Sequence, residues 1–203
     1  GGLAMMGRSH KPCRLTMNHN ASIGDSVDLA AMAALGAIRS QVSPAVRERV
    51  HQHVARQAVA LADRFYSVMQ QDPAAQGFLS NEQVQTRLRV SMQRWLVQTF
   101  AEVADADMPA MIGRQTQVGA VHARIKLPPQ LMSAGMRLMV TSIRRGLVED
   151  GLTADELRTA QLYAADLLYL ADGLMLRAYV RDMQREVRAD EAYRSVAMRH
   201  NAP

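Results

Sequence analysis

The chain has 203 residues, 48% of them hydrophobic, enough for one domain with a substantial core. Its formal charge of +5 falls to about +2 once Arg8, Lys11 and Arg14 of an acid-free opening segment are set aside, so no nucleic-acid-binding surface is implied. Cys13 is the single cysteine, which excludes a disulfide framework or a thiolate metal site and fits a reducing cytoplasm.

Gly1 to about Ile23 mixes Gly, Met, Asn, His and Ser without periodicity and reads as an expression leader outside the fold, so the domain is predicted from residue 24. A short helix is predicted over about 26–38. Ser43-Pro44 supplies a cap and first turn, and Val54, Ala58, Leu61, Phe65 and Met69 keep helical spacing, which predicts helices over about 44–56 and 57–71. Asp72-Pro73 ends that run, and 74–80 reads as a short irregular or helical piece. Helices follow at about 82–103, at 109–125 after Asp107-Met108-Pro109, and at 129–149 after Pro128-Pro129, the last with a stripe of Met132, Met136, Met139, Ile143 and Leu147. Asp150-Gly151 and a Thr153-x-x-Glu156 capping box open a final helix over about 153–188. No run alternates with period two, so the fold class is all-α.

The longest apolar runs, Leu29–Ile38 and Leu167–Tyr179, are respectively too short to span a bilayer and interrupted by Asp172 and Arg177, so no membrane association is expected and a cytoplasmic location is. The final helix carries apolar residues on two sides. Leu162, Ala165, Tyr169, Met175/Leu176 and Tyr179 form one stripe, and Leu167, Leu170 and Leu174 another. A helix apolar on two sides usually buries both. One stripe is expected to face the core; the other, with Leu170 and Leu174 outermost, would join the Met132–Leu147 stripe in a homodimer through the last two helices.

Of six histidines, His10 and His19 fall in the leader and His200 in the tail. His51 and His53 are two apart on a helix, which points them to different faces, and both read as surface residues. His122 stands apart, on an apolar helix face that Pro128-Pro129 soon ends. By its position alone it is a core histidine, a metal ligand, or a phosphoacceptor steadied by Lys126 in an H-x-x-x-K spacing, as in a helical-bundle phosphotransfer protein. Val84, Leu88, Ser91 and Trp95 share one helical face, so a hydroxyl lies inside an apolar stripe; back-bonding to the carbonyl one turn before would explain Ser91 equally well. Tyr66 needs a hydrogen-bond partner if buried, which backbone could supply. No P-loop, dinucleotide fingerprint, catalytic triad or carboxylate pair is present, so this chain reads as a non-enzyme.

The stretch Val118–Gly135, V-G-A-V-H-A-R-I-K-L-P-P-Q-L-M-S-A-G, resembles the proximal helix of globin-coupled sensors, and the resemblance runs from roughly Val27 to Arg194. It implies a globin fold with an extra amino-terminal helix and no separate D helix. It implies haem b, iron protoporphyrin IX, with His122 as the axial iron ligand and the Val118 carbonyl, one turn back, in position to accept from the imidazole Nδ1. The Phe65-Tyr66 pair matches the distal pair of these sensors, which makes Tyr66 a donor to O2; CO and NO are further ligands. Leu88 becomes an apolar gate, Ser91 a second donor, and Phe78 an aromatic against the porphyrin, although a plain core residue would look the same. Lys126 or Arg124 is within reach of a haem propionate, or simply solvated. The ending E-V-R-A-D-E-A-Y-R-S (186–195) is similar to the linker of sensor diguanylate cyclases, so 24–188 is expected to be the sensor globin and 189–203 the start of a linker to a GGDEF output domain, whose motif does not occur here. An aerotaxis transducer is the alternative within the family.

Overall fold

Helices start where the sequence marks them. In the computed structural model, which describes residues 21–80, 82 and 87–200, these are α1 (Ala21–Ser40), α2 (Pro44–Met69), α3 (Pro73–Gln76), α4 (Arg89–Phe100), α5 (Met108–Arg124), α6 (Pro129–Gly146) and α7 (Ala154–His200), with no strand among the described residues. Ser43 caps α2, its side chain accepting from the Val46 amide at 3.3 Å with Pro44 in the first turn, and Asp72 caps α3 through the Ala74 amide at 2.9 Å. At α7 the Thr153 hydroxyl accepts from the Glu156 amide while Glu156 accepts from the Thr153 amide at 2.9 Å. The Thr153 amide and hydroxyl, both donating to the Glu156 carboxylate, hold it below its usual value. The Leader residues 1–20, with Cys13, His10 and His19, and Val84 of the predicted 82–103 helix lie outside the described residues.

Several boundaries differ from expectation. α1 begins at Ala21, inside the segment read as leader. The predicted helices 44–56 and 57–71 are one helix of 26 residues, because neither Arg56 nor Gln57 breaks a helix and the stripe Val46, Val50, Val54, Ala58, Leu61 is continuous. α4 takes regular form only from Arg89, after a wider π turn at Arg87 and Leu88, and Ala101 leaves it in an extended conformation. α7 runs past 188 to His200, through the residues expected to begin a linker, since 189–200 contain neither Gly nor Pro.

α1 and α2 meet at 101° across the short break before Pro44. α5 packs most extensively on α7, α2 on α4, and α6 on α7. The α5–α7 crossing is close because Gly119 has no side chain: an added Cβ would lie 2.1 Å from the Met175 carbonyl oxygen. Phe100, Leu35, Leu96, Met139, Ile143 and Leu168 fill the centre. Glu102, after α4, binds Arg39 of α1 and Arg47 of α2 and so ties three segments at one end. Tyr163 nearby is pushed up to about 12 by burial and then by the Glu102 charge. No single helix among the described residues is long and apolar enough to cross a membrane.

Two readings of the helix faces are corrected. His53 is not a surface residue: it is 2% exposed, seven residues after Val46 on the core face of α2, with Nδ1 3.0 Å from Asp150 Oδ2, and Arg56 reaches the same oxygen at 3.2 Å. The stripes of the last two helices are also sorted differently. Met132, Met136, Met139, Ile143 and Leu147 are all buried in the chain's own core, as are Leu167 and Leu174, so they offer nothing to a partner. Ala165, Met175 and Tyr179 are buried too. The outward apolar face of α7 is Leu162 (56% exposed), Tyr169 (53%), the half-buried Leu176, then Val180 and Val187, in two rows spaced by seven residues. Asp172, which interrupts the apolar run, accepts from the Ser133 hydroxyl at 3.3 Å, and burial raises its carboxyl above the usual range.

The α5–α7 crossing can be tested by glycine replacement. Gly119→Ala is expected to lower unfolding free energy by about 2 kcal/mol or more, as overpacking against backbone that has no slack. Gly36→Ala in α1, where an added Cβ meets nothing within 4 Å, is expected to be neutral or to gain about 0.5–1 kcal/mol. Urea denaturation of the two variants checks both values.

Candidate functional site

α5 ends abruptly, and that ending places His122. Lys126 adopts φ 56°, the left-handed conformation that side chains disfavour by roughly 1–2 kcal/mol. The Leu127 amide donates back to the His122 carbonyl at 3.0 Å and the Lys126 amide to Ala123 at 2.9 Å, the six-to-one and five-to-two bonds of a Schellman closure. Pro128 and Pro129 then prevent the helix from resuming. His122 is therefore held in the last turn by its own carbonyl, with its ring directed into a cavity of about 260 Å³ between α2, α4, α5 and α6.

All six residues predicted for the site, His122, Tyr66, Phe78, Leu88, Ser91 and Val118, line this one cavity. They arrive from four places: Val118 and His122 on α5, Tyr66 on α2, Phe78 after α3, Leu88 and Ser91 at the start of α4. Burial lowers the His122 pKa, so the imidazole is neutral at pH 7. Its Nδ1 is buried without a hydrogen-bond partner, and the expected bond to the Val118 carbonyl is not formed. Val118 lies in the interior of α5, where carbonyls serve the helix ladder, and it contributes an apolar wall instead.

Tyr66 is 5% exposed, and burial pushes its phenol up to about 12, so it is a protonated donor throughout the neutral range. The hydroxyl donates to the Leu88 carbonyl at 3.1 Å, the backbone partner foreseen for a buried tyrosine. Phe65 stacks edge-on against it, with centroids 5.0 Å apart, and is seated over Gly135, where a Cβ would lie 2.7 Å from the Phe65 ring. Ser91 sits at the mouth with an exposed side chain. Lys126 and Arg124 do not line the cavity; Lys126 pairs with Glu186 of α7 at 3.0 Å, both side chains solvated, a contact of little net stability.

Methionine, an adaptable filler of irregular space, makes up much of the wall: Met69, Met92, Met132, Met136, Met139 and Met175 all reach it. Not foreseen was a buried polar chain at the cavity's edge, in which the Trp95 indole donates to Gln115 Oε1 at 2.8 Å and Gln115 Nε2 to Thr99 Oγ1 at 3.2 Å. The signal was present, since Gln115 stands seven residues before His122 on the same helical face.

Among the described residues no three His, Cys, Asp or Glu side chains cluster as a metal site. One neutral imidazole cannot hold a bare divalent ion. It suits an iron whose other ligands come with it, and an apolar cavity with a single imidazole and a phenol from another helix fits an iron porphyrin in its donor chemistry.

Comparison with known proteins agrees with this geometry. A family model described as Protoglobin matches residues 28–185. The diguanylate cyclase DosC of Escherichia coli (strain K12) is 28% identical over 162 residues, which is 80% of this chain and 35% of that protein, so the chain spans about a third of its relative's length. Among solved structures, the ferrous form of the globin domain of E. coli DosC superimposes with a TM-score of 0.69 at 26% identity, covering 73% of this chain and 99% of that one. The globin domain of the Geobacter sulfurreducens globin-coupled sensor superimposes with a TM-score of 0.62 at 20% identity, covering 72% and 95%, a likeness of fold. The fold is that of a globin, and the matched region of DosC is its globin domain.

Proposed function

The chain belongs to the Protoglobin family, and from that premise we propose that it is a haem-based oxygen sensor domain that regulates a carboxy-terminal diguanylate cyclase. The observation that carries this reading is the meeting of a neutral His122 from α5 and a protonated Tyr66 from α2 in the lining of one apolar cavity. Haem b, when bound, supplies an iron with a coordination position open to O2, CO or NO. His122 would hold that iron through its imidazole. Tyr66 would turn its hydroxyl from the Leu88 carbonyl to a diatomic ligand, with Ser91 as a second donor at the mouth. Phe78, Leu88 and Val118 exclude water, which strengthens any hydrogen bond made inside.

The reading extends beyond the cavity. Residues 24–188 form the sensor globin and 189–203 begin the connection to the output domain that makes cyclic di-GMP. α7 suits this role because it is one helix from Ala154 to His200 and contributes Met175 to the cavity wall. The homodimer expected through the last two helices narrows to the outward face of α7, with Leu162, Tyr169, Leu176, Val180 and Val187 as the seam. We place the protein in the cytoplasm. A phosphotransfer role is disfavoured by the pairing of Lys126 with Glu186, away from the His122 ring.

His122→Ala is expected to lose stable haem binding while keeping its helical content, measured as Soret absorbance per protein after reconstitution; full retention without added imidazole would defeat the assignment. Tyr66→Phe deletes a bond of roughly 1–2 kcal/mol, so stopped-flow oxygen release should be about tenfold faster, with a smaller effect on carbon monoxide. Ser91→Ala should change release less; the reverse order would make Ser91 the main donor. In sedimentation, the parent is expected to be a dimer at micromolar concentration, and Leu162→Glu with Tyr169→Glu a haem-binding monomer.

A further inference from the structure

α4 and α5 flank the cavity and make few close backbone approaches to each other, because the cavity lies between them. One hydrogen-bonding side chain bridges them. Gln115 of α5 is 3% exposed and accepts from the Trp95 indole at 2.8 Å while donating to Thr99, itself 1% exposed, at 3.2 Å. The amide orientation is dictated by chemistry: an indole N–H only donates, so Oε1 must face Trp95 and the amino group is left for Thr99. Trp95 and Thr99 are one turn apart on α4, so a single amide clasps two successive turns of that helix. On α5, Gln115 is two turns before His122, and Gly119 midway between them is pressed on the Met175 backbone. Trp95 also lines the cavity.

We propose that Gln115 is a positioning residue for the cavity: its amide straps the Tyr66-facing helix α4 to the His122-bearing helix α5, setting the indole wall and making the two helices move together. This rests on the haem reading only for its ligand-linked part. A buried amide with both ends paired resists sliding, since losing either partner leaves a polar group unsatisfied.

The test uses the whole chain, with and without haem, and the fact that Trp95 is its single tryptophan. Gln115→Met, of similar volume but without hydrogen bonds, should shift the indole emission and weaken its near-ultraviolet dichroism in the haem-free protein, with helical content retained. Thr99→Val, which leaves the Trp95–Gln115 bond in place, should largely preserve the indole signal. With haem bound, Gln115→Met should shift or broaden the ferrous iron–histidine stretching band and alter oxygen release by about fivefold, the size expected for one lost hydrogen bond. Trp95→Phe should move the same band, and the double variant should do no more than either single one. If Gln115→Met does not fold, Trp95→Phe reads the same strap from its other end through that band. Indole and iron–histidine signals identical to the parent in Gln115→Met, an unmoved band in Trp95→Phe, or additive effects in the double variant would overturn the proposal. Absence of a Soret band from the parent would overturn the haem reading instead, and the haem-free indole signal would then decide the strap.

Discussion

The crossing of α5 over α7 at Gly119 is the contact on which the rest of the arrangement depends. Backbone meets backbone there, with no room for even a methyl group. Because α5 cannot approach more closely or rise away without emptying the core, the position of its last turn is set by α7. The Schellman closure from His122 to Leu127 then decides where that turn stops. The backbone of His122 is thereby positioned at both ends of its helical segment.

The cavity exists because the surrounding helices are held at a distance rather than packed together. α2 and α4 are close neighbours, joined by Tyr66 to the Leu88 carbonyl and by Arg89 to Asp63 at 3.2 Å. α4 and α5 are linked by hydrogen bonds through Gln115. The walls between are methionine, leucine and aromatic side chains, which conform to an irregular guest better than branched residues do. Burial acts on the two chemically active groups in opposite senses, lowering the His122 pKa and raising that of Tyr66, and in both cases it favours the neutral form. A neutral imidazole is a ligand and a neutral phenol a donor, so one apolar environment prepares both.

α7 divides its surface between two tasks. Its inner side supplies Ala160, Ala164, Leu167, Leu168, Ala171 and Met175 to the core, the small residues admitting α5 closely. The outer side carries an apolar row in steps of seven, a spacing that follows one face of a long helix where packed partners are absent. Beyond Met183, which packs against the core, the described side chains of α7 from 184 to 195 are exposed, with Glu186 paired to Lys126, so the helix leaves the domain as a projecting rod.

Features that depend on short-range chemistry are legible in the order of residues alone. Proline, glycine and capping residues act within a few positions, so the breaks at Ser43, Asp72, Pro128 and Thr153 were legible, as was the all-α class. The six cavity residues were legible too, because His122 and Tyr66 lie in motifs that resemble a known family. The tertiary structure decided matters that depend on which neighbour is present. His53 is buried because Asp150, far along the chain, reaches it, and Gly146 leaves the space for its ring. Leu174 is core and Leu162 surface because α1, α5 and α6 cover one side of α7 and not the other, which a periodic pattern with two apolar sides cannot specify. The Val118 carbonyl was assigned to His122 by proximity in the chain, yet helix geometry commits it elsewhere. The place of Gln115 on the His122 face of α5 is legible in the sequence, but its partners are decided only when α4 is brought beside α5, because a hydrogen bond between distant residues has no local signature.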